Sequence, residues 1–149
     1  MGDVIKFISM LSKKLQQKGD DVTCPVAVIV RDNKVLMGLR HYTPDKWKTI
    51  SVWTIPGGRC DDGEEVEETL RREVEEETGI NDLYVSKFVG EFPGAKEGDK
   101  VPVFLCESDQ EARLLEPKKF SEWKWFGKDD LPQNFINKHV RRVLFDIIV

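Results

Sequence analysis

Residues 58 to 80 have the sequence GRCDDGEEVEETLRREVEEETGI, which has a clear helical pattern. Asp62 and Glu65 stand three positions apart, the spacing of a capping box that opens a helix. Gly79 is suited to a left-handed C-cap, which brackets a helix of about 15 residues. Apolar residues at helical spacing form one stripe along it: Val66, Leu70 and Val74. The stretch therefore predicts a loop, an amphipathic helix and a second loop.

This predicted helix carries the anionic charge of the whole protein. Ten carboxylates and two arginines lie from Asp61 to Glu77, a net charge of −8, whereas the 149-residue chain totals only −4. Glu73, Glu76 and Glu77 are spaced i, i+3 and i+4, so they converge beside the apolar stripe. Like charges at this spacing repel, and a folded protein needs a compensating cation.

Two kinds of cation are available to this carboxylate cluster. Arg72 lies four residues after Glu68 and four before Glu76, so its guanidinium is expected to brace both on one helix. A hard divalent ion such as Mg²⁺ suits the remaining oxygens, and it commonly takes substrate phosphates as further ligands. The cluster therefore indicates a phosphate-bearing substrate, with a solvated acidic helix as the alternative.

Composition limits the class of protein. With 40% hydrophobic and 34% charged residues, the chain is expected to form one domain, 1–149. A net charge of −4 argues against a nucleic-acid polymer as partner. The longest uncharged apolar run, 22 to 30, has nine residues, too few for a membrane helix, and the N-terminus does not resemble a secretory signal. Three cysteines without paired spacing favour a reducing, cytoplasmic location.

The remaining elements alternate helices with short strands. An extra N-terminal helix is predicted within 1–19, and three roles stay open for it: covering the sheet, forming a homodimer or gating the site. A loop is predicted at 41–48 and a last helix at 134–148. Six strands are predicted, at 22–30, 35–40, 50–55, 83–91, 101–107 and 122–126. We therefore expect an α+β fold with helices on both faces of a mostly antiparallel sheet.

The stretch 58–80 resembles the Nudix hydrolase signature. Glycine, glutamate, arginine and apolar residues stand at each of its nine specified positions: Gly58, Glu64, Arg72, Glu73, Val74, Glu76, Glu77, Gly79 and Ile80. The strands before this Nudix box are also similar to the family, so the resemblance covers about residues 22 to 145. It implies an α/β/α sandwich with a mixed central sheet and a loop-helix-loop that binds divalent metal.

The resemblance also implies roles for individual residues. Glu73 and Glu77 would ligate Mg²⁺ or Mn²⁺, with the Gly58 carbonyl as a further ligand. Glu76 would ligate or assist, and Arg72 belongs to the same catalytic set. Which glutamate is the general base stays open, and a carboxylate outside the box, Glu116, is a further candidate.

The substrate is expected to be a small nucleotide. Residues 116 to 125 (EPKKFSEWKW) are similar to MutT-like nucleoside triphosphate pyrophosphatases, which release a nucleoside monophosphate and pyrophosphate. The residues expected to bind base and phosphates are Arg40, Trp53, Thr54, Gly57, Glu116 and Lys118, with Lys119 adding positive field. Pro93 leaves a second branch open, hydrolysis of a diphosphate linked to another moiety, such as ADP-ribose. The alternatives from other classes are a non-catalytic nucleotide sensor and an acidic interaction helix without metal.

Overall fold

The structure, a computed structural model, describes residues 2 to 41 and 51 to 148, apart from the side chain of Phe7. Residues 42 to 48 of the predicted loop, and Ile50 of the predicted third strand, lie outside the described residues. None of the described helices is both long enough and apolar enough to span a bilayer.

Three α-helices and six strands make up the described fold. The helices are α1 (Gly2–Gln16), α2 (Val66–Thr78) and α3 (Lys138–Ile147). The strands are β1 (Val26–Arg31), β2 (Lys34–Arg40), β3 (Val52–Thr54), β4 (Tyr84–Pro93), β5 (Lys100–Glu107) and β6 (Phe120–Phe126).

The sheet is mixed, as predicted. Its strand order is β3-β2-β1-β5-β4, with β6 on β2, and only the β1–β5 pair is parallel among the described pairs. Residues 30 and 31 of β1, next to the hairpin, pair with β2, whereas residues 26 to 29 pair with β5. The loop before α2 enters at this divergence, where the Ala27 N–H donates to the Pro56 carbonyl at 2.8 Å and Val26 bridges Gly57. These contacts place residues 57 and 58 beside the first residues of β1, where β1 is no longer paired with β2.

Apolar side chains alternate between the two faces of the sheet. Ala27 and Ile29 belong to a core that includes the α2 stripe, whereas Val28 belongs to a second core that includes Val140 and Leu144 of α3. The α/β/α sandwich is therefore confirmed. On the first face, α1 packs against α2 and β4 through Leu11 and Leu15, so it covers part of the sheet. That residues 1–149 form one domain to which α1 is an addition stays a prediction. The roles of α1 in a homodimer or as a gate of the site also stay predictions.

Two predicted helix starts were wrong. α2 is capped by Glu65, whose N–H donates to Glu68 at 3.2 Å, so the capping box lies one turn later than the Asp62 start. Gly63 adopts a left-handed φ of 79°, which breaks helical continuity there. α3 begins after Asn137, not at residue 134, because 134 to 136 run beside β3: Trp53 donates to the Asn134 carbonyl at 2.9 Å.

Candidate active site

Two carboxylates of α2, one turn apart, pack against the loop that precedes the helix. Glu77 accepts a hydrogen bond from the Gly57 N–H at 2.9 Å. Glu73 lies so close to Gly58 that a Cβ there would stand 2.6 Å from its Oε2 atom. The loop backbone therefore fits onto these carboxylates only because residue 58 has no side chain.

This contact lies in the wall of a cavity of about 550 Å³. The lining brings together six of the residues that the sequence singled out: Arg40, Thr54, Gly57, Gly58, Glu73 and Glu77. It also contains cationic side chains, Arg59, Lys96 and Lys119, beside apolar ones such as Val101 and Phe135. A cavity with carboxylates, cations and apolar surface suits a ligand that has both phosphates and an aromatic ring system.

Arg40 ends β2 at this cavity. Its Nε atom is buried and has no hydrogen-bond partner among the described residues. A buried donor of this kind is costly unless it binds a partner, and a phosphate oxygen is a suitable one. The position of Arg40 supports the prediction that it binds a substrate phosphate. The binding itself stays a prediction.

Arg72 organises the outer carboxylates of the box. Its Nε and Nη2 atoms donate to the two oxygens of Glu64, each at 3.0 Å, and Nη1 donates to Glu73 at 2.9 Å. Glu76 lies 3.5 Å from Nη1, as expected from its spacing. The expected partnership with Glu68 is wrong, because Glu68 caps the helix.

The pKa values within this network follow from these contacts. The Arg72 hydrogen bonds lower the pKa of Glu64 to about 2, and Glu64 in turn raises the pKa of Arg72. Burial raises the pKa of Glu73 above its ordinary value, against the opposing effect of Arg72. Glu64 therefore stays ionised as an anchor, and Arg72 fixes the orientation of Glu73.

Lys119 is the partner of the innermost carboxylate. Its Nζ atom donates to Glu77 Oε2 at 3.0 Å, and the Glu77 side chain is only 3% exposed. Burial raises the pKa of Glu77 to about 7, although Lys119 and the Gly57 N–H oppose that shift. The sequence suggested only a general positive field for Lys119. No local pattern reveals a pair 42 positions apart.

A second long-range pair connects the box to the β4–β5 connection. Arg59 donates to both oxygens of Asp99 at 2.8 Å, and both residues line the cavity. This bidentate pair raises the pKa of Arg59 and ties residue 59 to the β4–β5 connection, whose residues 94 to 96 also line the cavity. It too had no signal in the sequence.

Other predicted site residues are absent from the described lining of the cavity: Trp53, Arg72, Glu76, Glu116 and Lys118. Trp53 packs edge-on against Phe126, with ring centroids 4.7 Å apart, in the second core. Lys118 is exposed, whereas Glu116 has a buried Oε1 atom 4.0 Å from Lys119 Nζ. The substrate-binding roles of these residues stay predictions.

The donor chemistry of the site fits a hard divalent cation. Glu73, Glu76 and Glu77 supply carboxylate oxygens and Gly58 a backbone carbonyl, which are the ligands that Mg²⁺ or Mn²⁺ prefers. Over the described ranges, no group of three or more His, Cys, Asp or Glu side chains is already gathered into a metal site. Arg72 and Lys119 hold two of the carboxylates instead.

Comparison with known proteins places this geometry in a family. The NUDIX domain model matches residues 23–146. A crystal structure of MutT NUDIX hydrolase from Burkholderia pseudomallei is similar, with a TM-score of 0.65 and 30% identity, covering 85% of this chain and 97% of that one.

Curated relatives are similar over part of their length. NAD-capped RNA hydrolase NudC from Enterobacter sp. (strain 638) is 31% identical over 114 residues, which cover 73% of this chain and 40% of NudC. RNA pyrophosphohydrolase from Erythrobacter litoralis (strain HTCC2594) is 30% identical over 108 residues, which cover 58% of this chain and 65% of that protein. The chain thus spans less than two thirds of either relative. The predicted resemblance is confirmed, and the chain belongs to the NUDIX domain family.

Proposed function

We propose that this protein is a metal-dependent hydrolase of phosphoanhydride bonds in nucleotide-containing substrates. The observation that carries the proposal is the meeting of Glu73, Glu77 and Gly58 with the cations Arg40 and Lys119 in the wall of one cavity. Phosphoanhydride hydrolysis needs both groups: carboxylates that hold a divalent cation, and cationic side chains that bind phosphate oxygens.

Six residues of the box have tasks in this proposed reaction. Glu73, Glu77 and the Gly58 carbonyl, with Glu76 beside them, would hold Mg²⁺ or Mn²⁺. When bound, the cation neutralises phosphate oxygens and lowers the pKa of a water molecule. Arg72, anchored on Glu64, keeps Glu73 oriented.

The proton of the attacking water needs a carboxylate as acceptor. Glu76, whose side chain is 52% exposed, and Glu116, with its unpartnered Oε1 atom, are the two candidates in this proposal besides Glu73 and Glu77. Arg40, at the end of β2, would bind phosphate oxygens and set the scissile bond near these carboxylates.

The preferred substrate in this proposal is a nucleoside triphosphate, cleaved to the monophosphate and pyrophosphate. Its support is the 30% identity to a MutT protein over 97% of that chain's length, with Arg40, Lys96 and Lys119 in the cavity to meet a polyphosphate. The second candidate is a nucleoside diphosphate linked to another moiety. The similarity to a protein named NAD-capped RNA hydrolase favours it. Together with the similarity to RNA pyrophosphohydrolase, it also reopens the RNA 5′ end as a substrate.

A substrate panel tests the proposal. Purified protein would be incubated with Mg²⁺ or Mn²⁺ and dNTPs, NTPs, oxidised dNTPs, ADP-ribose, NAD⁺, NAD-capped RNA and 5′-triphosphate RNA. Chromatography of the products would identify the bond that breaks. Pyrophosphate release from a triphosphate supports the first candidate, and cleavage only of the linked diphosphates supports the second.

Two outcomes would contradict the proposal. Nucleotide binding without turnover at millimolar Mg²⁺ would point to a sensor. A thermal unfolding midpoint that does not respond to Mg²⁺ or Mn²⁺, in a protein that hydrolyses nothing on the panel, would leave the acidic interaction helix as the better account.

A further inference from the structure

Both oxygens of Glu77 already accept a hydrogen bond. Its Oε1 atom accepts the Gly57 N–H at 2.9 Å and its Oε2 atom accepts Lys119 Nζ at 3.0 Å. With the side chain only 3% exposed, water cannot replace these partners. A divalent cation bound to Glu77 would lie close to the Lys119 ammonium, and the two positive charges would repel at this buried carboxylate.

Lys119 has a second carboxylate within reach. Glu116 Oε1 lies 4.0 Å from its Nζ atom, and this oxygen is buried without a hydrogen-bond partner among the described residues. A shift of about 1 Å would bring the two atoms to the usual length of an N–H···O bond. An unpaired buried carboxylate oxygen is unfavourable, so Glu116 is a ready acceptor for the displaced ammonium.

Only the side chain of Lys119 has to move. Its backbone N–H donates to the Glu116 carbonyl at 2.9 Å, and its own carbonyl accepts the His41 N–H at 3.0 Å, so the turn that carries it is fixed. The side chain itself is 32% exposed and lines the cavity, which leaves room for the ammonium to change partners.

We propose that Lys119 is the resident counter-ion of the metal site, and that cation binding transfers its ammonium from Glu77 to Glu116. The proposal rests on the proposed function in one respect, that Glu77 is a metal ligand. Before the cation arrives, Lys119 compensates the buried charge of Glu77. Afterwards it stays at the cavity, paired with Glu116, where its charge faces the phosphates. Lys119 is thus a positioning residue whose competition weakens metal affinity.

Direct titration of Mn²⁺ without nucleotide, followed by electron paramagnetic resonance, tests the exchange. Lys119→Met removes the competitor, so the Kd for Mn²⁺ should fall about tenfold. Lys87→Met is the matched control, because it removes the same charge from an exposed position of β4 outside the cavity lining; its Kd should change less than about twofold. A merely structural lysine would leave the affinity unchanged or weaken it.

Thermal unfolding provides a second readout. In EDTA, Lys119→Met should unfold at a lower temperature than the parent, because Glu77 loses its counter-ion, and saturating Mn²⁺ should close most of that gap. Lys87→Met should follow the parent in both buffers. If Lys119→Met does not fold, Lys119→Gln keeps a neutral donor near Glu77 and should still tighten Mn²⁺ binding.

The outcomes separate the two proposals. If the parent binds Mn²⁺ and Glu77→Gln does not, Glu77 is a ligand. An unchanged or weakened Mn²⁺ affinity in the Lys119 variants then overturns the exchange alone, as does equal tightening in Lys87→Met. If Glu77→Gln binds Mn²⁺ as tightly as the parent, both proposals are wrong.

Discussion

The carboxylates of the Nudix box are held by two different cations, and the contrast between them separates local from tertiary information. Arg72 donates two hydrogen bonds to Glu64 and one to Glu73, and all three residues belong to the box. The Arg72 side chain is 33% exposed. Lys119 reaches Glu77 from a distant turn, and that carboxylate is 3% exposed.

The same residue type acquires opposite properties at the two positions. The pKa of Glu64 falls to about 2 because the bidentate Arg72 contact favours its anion. The pKa of Glu77 rises to about 7 because burial outweighs Lys119 and the Gly57 N–H. The outer pair is therefore a stable anchor, whereas the inner pair can exchange one cation for another.

The largest effect should come from replacing Glu77, the carboxylate that Lys119 contacts. Glu77→Gln keeps the shape of the side chain but removes a proposed metal ligand, so kcat/KM should fall at least about 100-fold on the best substrate of the panel. Steady-state kinetics at saturating Mg²⁺ would measure it. Glu75→Gln, on the exposed side of α2, should stay within about twofold of the parent. Near-parental activity of Glu77→Gln would remove Glu77 from the catalytic set.

Glu77 and Glu64 should contribute differently to the pH dependence of the free energy of unfolding. Burial raises the pKa of Glu77 from 4.5 to about 7, so between these values the folded state binds more protons than the unfolded state. In EDTA, Glu77 should therefore lower the free energy of unfolding as pH rises from 4.5 to 7, by about 1 to 3 kcal/mol.

Urea unfolding of the parent and of Glu77→Gln at pH 5, 6 and 7 would measure that contribution. The difference between the two proteins should change throughout this window. The depressed pKa of Glu64 has the opposite sign, because its contribution is lost only as pH falls from 4.5 toward 2. Parallel profiles for parent and variant between pH 5 and 7 would contradict the raised pKa of Glu77.

Gly58→Ala tests the loop at residues 57 and 58, which contacts both Glu73 and Glu77. The new Cβ would stand 2.6 Å from Glu73 Oε2, so the carboxylate or the loop must shift, at a cost of about 1 to 3 kcal/mol in urea unfolding. Gly127→Ala is the control, since its Cβ would meet its nearest atom at 3.4 Å, an ordinary contact. Equal stabilities for the two variants would mean that the Glu73 contact is relaxed without cost.

The smallest effect should come from the outer anchor. Arg72→Lys retains the charge but loses the bidentate contact with Glu64, so the free energy of unfolding should fall by about 1 to 2 kcal/mol. Arg142→Lys, at an exposed position of α3, should change it by less than about 0.5 kcal/mol. An Arg72→Lys variant as stable as the parent would mean that charge alone, without the fork geometry, anchors Glu64.

Local patterns predicted most of the architecture. The α2 stripe, the β1–β2 hairpin and the end of α2 at Gly79 each depend on residues a few positions apart, and the structure has all three. The start of α2 was missed because two overlapping spacings, Asp62 with Glu65 and Glu65 with Glu68, both read as capping boxes. The left-handed backbone at Gly63 decides between them.

The sequence by itself determined the family, the layered fold and the carboxylates of the box, because spacing along one helix is enough to gather them on one face. Spacing also predicted that Arg72 lies beside Glu76, but the ion pairs between distant parts of the chain emerged only from the tertiary structure. Lys119 reaches Glu77 across 42 positions, and Arg59 reaches Asp99 across 40. Such pairs depend on how strands and loops come together in the sheet, and burial, which shifts the pKa of Glu77, exists only after the chain has folded.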